Sequence, residues 1–131
     1  MMTILADHNI EGYALLRFDA LQAREWAELF DLRLVTFADV GLPEASSDRT
    51  VWRRAQELGA LLLTDNRNMS GLDSLEQALR DENMPTSLPV VTVSRVKRIG
   101  EKVYRDACAD RLATIVADID QHLGSGRLFI P

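Results

Sequence analysis

The sequence predicts an α/β fold, a three-layer α/β/α sandwich with a mainly parallel central sheet. Three observations predict it. Short apolar runs alternate with segments of helical periodicity, strand then helix, along the whole chain. One run, Ala60–Leu63, is continuously apolar, as a strand buried on both faces is. With 131 residues and no repeat, low-complexity tract or linker, the chain makes one domain spanning 1–131. Right-handed crossovers between parallel strands then place helices on both faces.

The elements follow in order. Thr3–Ala6 reads as the first strand. Asn9 caps a helix over roughly 10–18. Asp19 and Gln22 have capping-box spacing and restart a helix whose stripe is Ala23, Trp26, Ala27 and Phe30. Leu34–Phe37 is the second strand, followed by a loop with Gly41, Pro43 and two serines. Ser46 or Ser47 caps a helix burying Val51, Trp52, Ala55 and Leu58, which stops at Gly59. Ala60–Leu63 is the third strand and Asn66–Gly71 a loop. Asp73 and Glu76 form a second capping box, opening a helix to about Asn83. Pro85 and Pro89 lead into the fourth strand, Val90–Val93. The last helix carries Ile99, Val103, Cys108, Leu112, Ile115, Ile119 and Leu123 at helical spacing and ends at Gly124. Leu128–Ile130 is a short final strand. Strand one is expected to be central, with strands two and three not both on its same side in sequence order.

Composition excludes several function classes. Hydrophobic residues are 47% and charged residues 27%, the balance of a folded globular chain and not of a disordered one. The longest uncharged stretch, Asn83–Ser94, has 12 residues and two prolines, too short for a membrane span of about 20. Met1–Asp7 lacks a basic region and meets a charge early, unlike a signal peptide, so the expected location is cytoplasmic. A single cysteine, Cys108, leaves no internal disulfide and no cysteine-based zinc cluster. Net charge is −5, from 20 acidic and 15 basic groups, which argues against coating nucleic acid through bulk charge. It leaves room for a nuclease, where acids hold metal and a local basic patch holds phosphate.

In open α/β sheets, sites form beyond the carboxyl ends of the strands. Strand one runs into Asp7 and Asn9, strand two into Asp39, and strand three into Asp65, Asn66 and Asn68. Asp and Asn favour turns and caps, which explains any one of these. Three strand ends with an aspartate each, in a chain with 12 aspartates, point to a carboxylate cluster. Converging carboxylates repel unless a cation or proton offsets them, and an oxygen-rich site suits Mg²⁺ or Mn²⁺. Asp48 opens the helix after Ser47, either as a first-turn acid favoured by the helix dipole or as a further ligand. Arg49 beside it can hold phosphate or pair with Asp48. Arg95, Lys97, Arg98, Lys102 and Arg105 follow strand four, as a solvated face or as contacts to a nucleic-acid backbone. His8 and His122 have no metal-ligand spacing. Trp26, Trp52 and Cys108 read as packing residues. Gly124 and Gly126 do not form a phosphate-binding loop.

Ile4-Leu5-Ala6-Asp7-His8-Asn9-Ile10, Asp39-Val40-Gly41-Leu42, Ser47-Asp48 and Leu61-Leu62-Leu63-Thr64 occur in an order and spacing that resembles the small prokaryotic PIN-like proteins, relatives of the PIN-domain toxin ribonucleases. The likeness covers about residues 3–70. The later stretch, including Pro85–Pro89 and the ending Gly126–Pro131, looks like an uncharacterised bacterial subgroup of that family. The resemblance implies a PIN-like sandwich and a Mg²⁺- or Mn²⁺-dependent ribonuclease site of three or four acids. Asp7 matches the family's first acid and Asp48 the acid at the helix start after strand two. The family's next motif, Thr-x-Asp-x-Asp-Phe, reads Thr64-Asp65-Asn66-Arg67-Asn68-Met69 here, so amides stand at 66 and 68 and Asp65 lies one place early.

The expected site therefore has Asp7, Asp48 and Asn66 as metal ligands, and Asp7, Asp48, Asp65 and Asn66 as the catalytic set. Asn9, Asp39, Arg49, Asn68, Arg95 and Arg98 surround it or touch substrate. The expected function is hydrolysis of RNA in a toxin–antitoxin setting, with RNA, an antitoxin-like protein and a second copy of the chain as expected partners. The amides at 66 and 68 support another reading, a catalytically weakened PIN-like module that binds a protein or RNA partner. A receiver-like phosphotransfer domain also gathers acids at strand ends, but strand four here ends in Ser94-Arg95 and lacks the lysine such a domain requires.

Overall fold

A computed structural model of the chain describes residues 2–12, 32–66 and 71–131. Its five strands are β1 (Met2–Ala6), β2 (Leu32–Val35), β3 (Ala60–Thr64), β4 (Val90–Val93) and β5 (Arg127–Ile130). The helices among the described residues are α1 (Asp48–Leu58), α2 (Leu75–Glu82), α3 (Lys102–Ala117) and α4 (Ile119–His122). The helix expected over 10–18 beyond residue 12, the stripe Ala23–Phe30 and the stretch 67–70 lie outside the described residues.

All strand pairs are parallel, in the order β2-β1-β3-β4-β5. β1 pairs on one side with β2, Ile4 opposite Leu34, and on the other with β3, Ile4 opposite Leu61. The chain thus builds outward from β1 in one direction and then in the other, and the point where it reverses lies between β1 and β3.

Alternate side chains of each strand face opposite layers. Ile4, Ala6, Leu61, Leu63, Val91, Val93 and Ile130 pack against α3 through Tyr104, Cys108, Leu112 and Ile115. Leu5, Val35, Leu62 and Val90 pack on the other face against Val51, Trp52 and Ala55 of α1 and Leu75 and Leu79 of α2. This is an α/β fold with helices on both faces of one parallel sheet. No helix among the described residues is long and apolar enough to cross a membrane.

Ser47 starts α1, its side chain accepting from the Thr50 N–H, and Gly59 ends it at φ 64, donating to the Ala55 and Gln56 carbonyls. Ser46 instead donates to the Pro43 carbonyl at 2.7 Å. Several expectations shift. β2 begins two residues early, at Leu32, and Phe37 is buried in the turn beyond it. The edge position tolerates an exposed Arg33 within the strand, which hid its start from a search for apolar runs. The cap of α2 is Ser74, which accepts from the Gln77 N–H, and not Asp73, which pairs with Arg49. The long last helix, expected from Ile99, starts at Lys102 after a 3₁₀ turn at Val96–Arg98 and divides into α3 and α4. Val103, one residue off the stripe of Tyr104, Cys108 and Leu112, is 83% exposed. Leu58 lies at the end of α1, where it lines a shallow groove with Thr3 and Val35, and is 43% exposed.

Candidate functional site

The carboxyl end of β1 delivers Asp7 to the reversal point of the sheet, where open parallel sheets form their crevice. Its N–H donates to the Leu63 carbonyl at 2.9 Å, so the residue stays locked to β3 beyond the last paired strand residue. The neighbouring strand ends in Thr64, whose buried hydroxyl donates to Asp7 Oδ2 at 2.7 Å. Burial pushes the Asp7 carboxyl above its ordinary 3.8. The Thr64 hydroxyl and the His8 N–H oppose this, while the Asp48 and Asp65 carboxylates push the same way. The Asp48 and Asp65 carboxylates therefore lie near enough to Asp7 to disfavour its charge.

Asp48 reaches the crevice from the first turn of α1. Its Oδ2 accepts from Asn66 Nδ2 at 2.8 Å and from the Leu75 N–H, at the start of α2, at 3.2 Å. The Asn66 N–H in turn donates to Thr64 Oγ1 at 2.9 Å. One hydroxyl thus organises both strand ends: Thr64 donates to Asp7 and accepts from Asn66, and Asn66 donates to Asp48. The structure brings Asp7, Asp48, Asp65 and Asn66 together, and Asn68 lies outside the described residues.

Other expected residues are placed differently. Asp39 closes the turn after β2, its carboxylate accepting from the Thr36 N–H at 2.9 Å, which holds it below its ordinary range. Its role is that of a turn residue, because an Asp three positions beyond a free backbone N–H, here that of Thr36, can accept from it directly. Arg49 does not pair with Asp48. Its guanidinium binds Asp73, Asp81 and Glu82 at 2.6–3.1 Å and the Leu72 carbonyl at 2.6 Å, so it ties α1 to α2, and the three carboxylates around it disfavour a phosphate there. Asn9 is exposed in the 3₁₀ turn His8–Ile10. His8 turns its ring toward Glu11 and Glu44 and lies against Phe37. Arg95 and Arg98 do stand at the carboxyl edge, lining a cleft of about 460 Å³ with Ser94, Tyr104 and Pro131. The Tyr104 hydroxyl accepts from the Arg95 N–H at 2.8 Å, and Arg98 lies over the Tyr104 ring and pairs with Glu101.

A larger cleft, about 680 Å³, lies between α1 and the loop after α2, lined by Trp52, Gln56 and Met84 among others. It contains none of the strand-end acids.

Thr64, Thr92, Glu76 and Arg127 also belong to the crevice, and none of them was among the expected site residues. Arg127, nearly buried, donates from Nη1 to the Asn66 carbonyl at 2.6 Å and Thr92 Oγ1 at 2.7 Å, and from Nε to Glu76 at 2.7 Å. A signal existed for the threonines: a hydroxyl inside a strand buried on both faces must find a partner.

Asp7, with the Asp48 and Asp65 carboxylates acting on it, offers the oxygen chemistry a hard divalent ion takes, while the Arg127 guanidinium supplies a fixed positive charge in the same crevice. Among the described residues, no three acidic, histidine or cysteine side chains stand ready to hold one ion together.

No family model matches this chain, and no curated protein or solved structure is significantly similar to it.

Proposed function

We propose that this protein is a PIN-like, metal-dependent ribonuclease that hydrolyses RNA phosphodiesters. The observation that carries the reading is the placement of Asp7, Asp48 and Asp65. Asp7 stands at the end of β1 beside the reversal, a hydrogen-bond chain through Thr64 and Asn66 links it to Asp48, and burial with the Asp48 and Asp65 charges raises its carboxyl. Mutual repulsion of this kind is relieved by a cation. Asp7 and Asp48 would hold Mg²⁺ or Mn²⁺, with Asp65 and Asn66 beside them. When bound, such an ion supplies a water of lowered pKa and positive charge for a phosphoryl oxygen. Thr64 keeps the Asp7 carboxylate turned toward β3, and Asn66 and the Leu75 N–H fix that of Asp48. Arg95 and Arg98 at the same edge of the sheet offer cations to the RNA backbone. A toxin of a toxin–antitoxin pair is the setting this activity suits, with an antitoxin-like protein as partner.

One observation favours a second reading, a PIN-like module that binds an RNA or protein partner without cleaving. Asp48 Oδ2 is already satisfied by an amide and a backbone N–H, and the amide belongs to Asn66, where the resemblance expects an acid. Incubation of labelled single-stranded RNA with the purified protein and Mg²⁺ or Mn²⁺ separates the two. Cleavage that needs the ion and disappears in Asp7→Asn supports the nuclease. RNA or partner binding without cleavage supports the module.

A further inference from the structure

We infer that Arg127 is a positioning residue for the acidic crevice, holding Asn66 on Asp48 from the far edge of the sheet. Arg127 begins β5, the outermost strand beside β4, with β4 and β3 between it and β1. Its side chain reaches Thr92 on β4 and the Asn66 carbonyl just past the end of β3. Nη1 donates to Thr92 Oγ1 on the way, at 2.7 Å, and to the Asn66 carbonyl at 2.6 Å. Nε donates to Glu76 Oε1 on α2 at 2.7 Å. The side chain is only 9% exposed, so this is a cation held in the interior by one carboxylate, one hydroxyl and one carbonyl. Removing a cation from water in this way is costly, and these bonds offset it, although buried Nη2 makes only an ion-pair contact with Glu76 Oε1 at 2.7 Å and no aligned hydrogen bond.

The consequence lies at Asn66, which is gripped at three points. Its carbonyl accepts from Arg127, its N–H donates to Thr64 Oγ1, and its amide donates to Asp48 Oδ2. Thr64 Oγ1 is the group that donates to Asp7. Arg127 touches neither Asp7 nor Asp48 and acts on both through the turn at 64–66. Through Glu76 it also fixes the first turn of α2, where the Leu75 N–H donates to Asp48. The guanidinium, with planar donors on three nitrogens, can face a carboxylate and a carbonyl at once, whereas an ammonium cannot reproduce the fork.

The test is hydrogen exchange of the Asn66 side-chain amide, followed by NMR on the folded protein, in wild type and in Arg127→Lys. The lysine variant keeps a charge for Glu76 and loses the grip on the Asn66 carbonyl. Protection of the Asn66 amide is expected to fall by about tenfold or more, the effect of losing one hydrogen bond to a charged group. Thr92→Val, nearly equal in volume, removes one anchor of Nη1 and serves should the lysine variant fail to fold. It is expected to lower the same protection by a smaller factor. Unchanged Asn66 protection in a folded variant overturns the inference. Mn²⁺ affinity adds the link to the proposed function, on which the site's role as a metal centre rests. Binding to folded Arg127→Lys is expected to weaken about tenfold or more, as when a group orienting a metal ligand is lost. Wild type that binds no Mn²⁺, with Asn66 protection still lost in the variants, rejects the metal reading and leaves Arg127 as the residue that positions Asn66.

Discussion

Asp7→Asn separates a metal ligand from a structural turn residue, and the structure sets the size of both outcomes. Asparagine keeps the shape and an acceptor oxygen for the Thr64 hydroxyl, which lies 2.7 Å from Asp7 Oδ2. A bond to a neutral acceptor is weaker than one to a carboxylate by about 1 kcal/mol. Against that loss, burial and the Asp48 and Asp65 carboxylates disfavour the ionised Asp7. Fully buried ions suffer an effective penalty of several kcal/mol; for a half-buried carboxylate with a hydroxyl donor, about 1–2 kcal/mol is the reasonable size. Without metal, the variant should be between equal to wild type and about 1 kcal/mol more stable, a Tm gain of about 0–4 °C. The sign of the pH dependence follows from the raised pKa. The folded protein binds a proton at Asp7 more tightly than the unfolded chain does, so wild type gains stability as pH falls through the folded pKa. The advantage of the variant is complete above that pKa and disappears below the ordinary value of 3.8.

Mn²⁺ reverses the order. At about 100 times the dissociation constant, a ligand that binds only the folded protein adds about 2.7 kcal/mol. For a chain of this length that is a rise of about 10 °C in Tm. If losing the Asp7 charge weakens binding about 100-fold, the same concentration adds only about 0.4 kcal/mol to the variant. Thermal melts of both proteins with and without Mn²⁺ read this directly. An equal Mn²⁺ shift in the two proteins shows that Asp7 holds no ion. A metal-free variant less stable than wild type by more than about 1 kcal/mol shows that the charge on Asp7 serves the fold, as a cap does.

Arg49→Met should destabilise the protein at neutral pH, because Asp73, Asp81 and Glu82 then repel without their common partner. Arg49 holds Asp81 below its ordinary 3.8, and Arg53 with Arg49 holds Glu82 below 4.5; this stability is present above those values and lost as pH falls through the folded pKa values. Urea midpoints of the two proteins should accordingly converge in acid, and a gap that stays constant with pH would assign the loss to packing of the arginine stem. Gly124→Ala should cost more than Gly126→Ala, although both glycines have φ 79, because only at Gly124 does a Cβ meet backbone, Pro85 Cα and O at 3.0 Å. Gly126→Ala should cost about 1–2 kcal/mol for the left-handed backbone alone, and equal losses in denaturant melts would show that the Pro85 loop gives way. Leu61→Ala, at a fully buried position, should cost about 2–5 kcal/mol, and Leu58→Ala at the half-open end of α1 less than about 1 kcal/mol. Similar losses at both would mean that the groove beside Leu58 closes in solution.

Where one physical pattern dominates a segment, the fold was legible. Ala60–Thr64 is buried at every position, and its apolar run announced a strand covered on both faces. Ser47 and Gly59 bracket α1 because a side-chain acceptor and a left-handed C-terminal residue solve the problem of unpaired backbone groups locally. β2 and β3 lie on opposite sides of β1, in line with the expected topology, but β3 and not β1 is the central strand, because β4 and β5 both add on the β3 side. Elements governed by tertiary partners were less legible. Asp73 and Ser74 are both good caps in isolation, and Ser74 takes the role while Arg49, 24 residues earlier, engages Asp73. β2 is an edge strand, so its pattern tolerates Arg33 and its apolar run gives the wrong register.

The site divides along the same line. Residues that lie directly past a strand or at the start of a helix could be read from position alone, which is why Asp7, Asp48, Asp65 and Asn66 were candidates before their geometry was known. Asp39 satisfied the same rule and is a turn residue, because position past a strand says where a side chain starts and not what its backbone neighbours need. Arg127 could not be found in this way. Its Cα belongs to the opening residue of β5, paired with Val90, while its donors serve Thr92, Asn66 and Glu76. The long side chain carries a charge along and across two strands, and only the parallel register of β3, β4 and β5 brings a residue 61 positions away to the turn that joins Asp7 to Asp48. A rule that inspects strand ends finds the carboxylates of such a crevice. The cation that braces them enters from the opposite end of an outer strand, where its sequence context, Gly-Arg-Leu, is that of an ordinary edge.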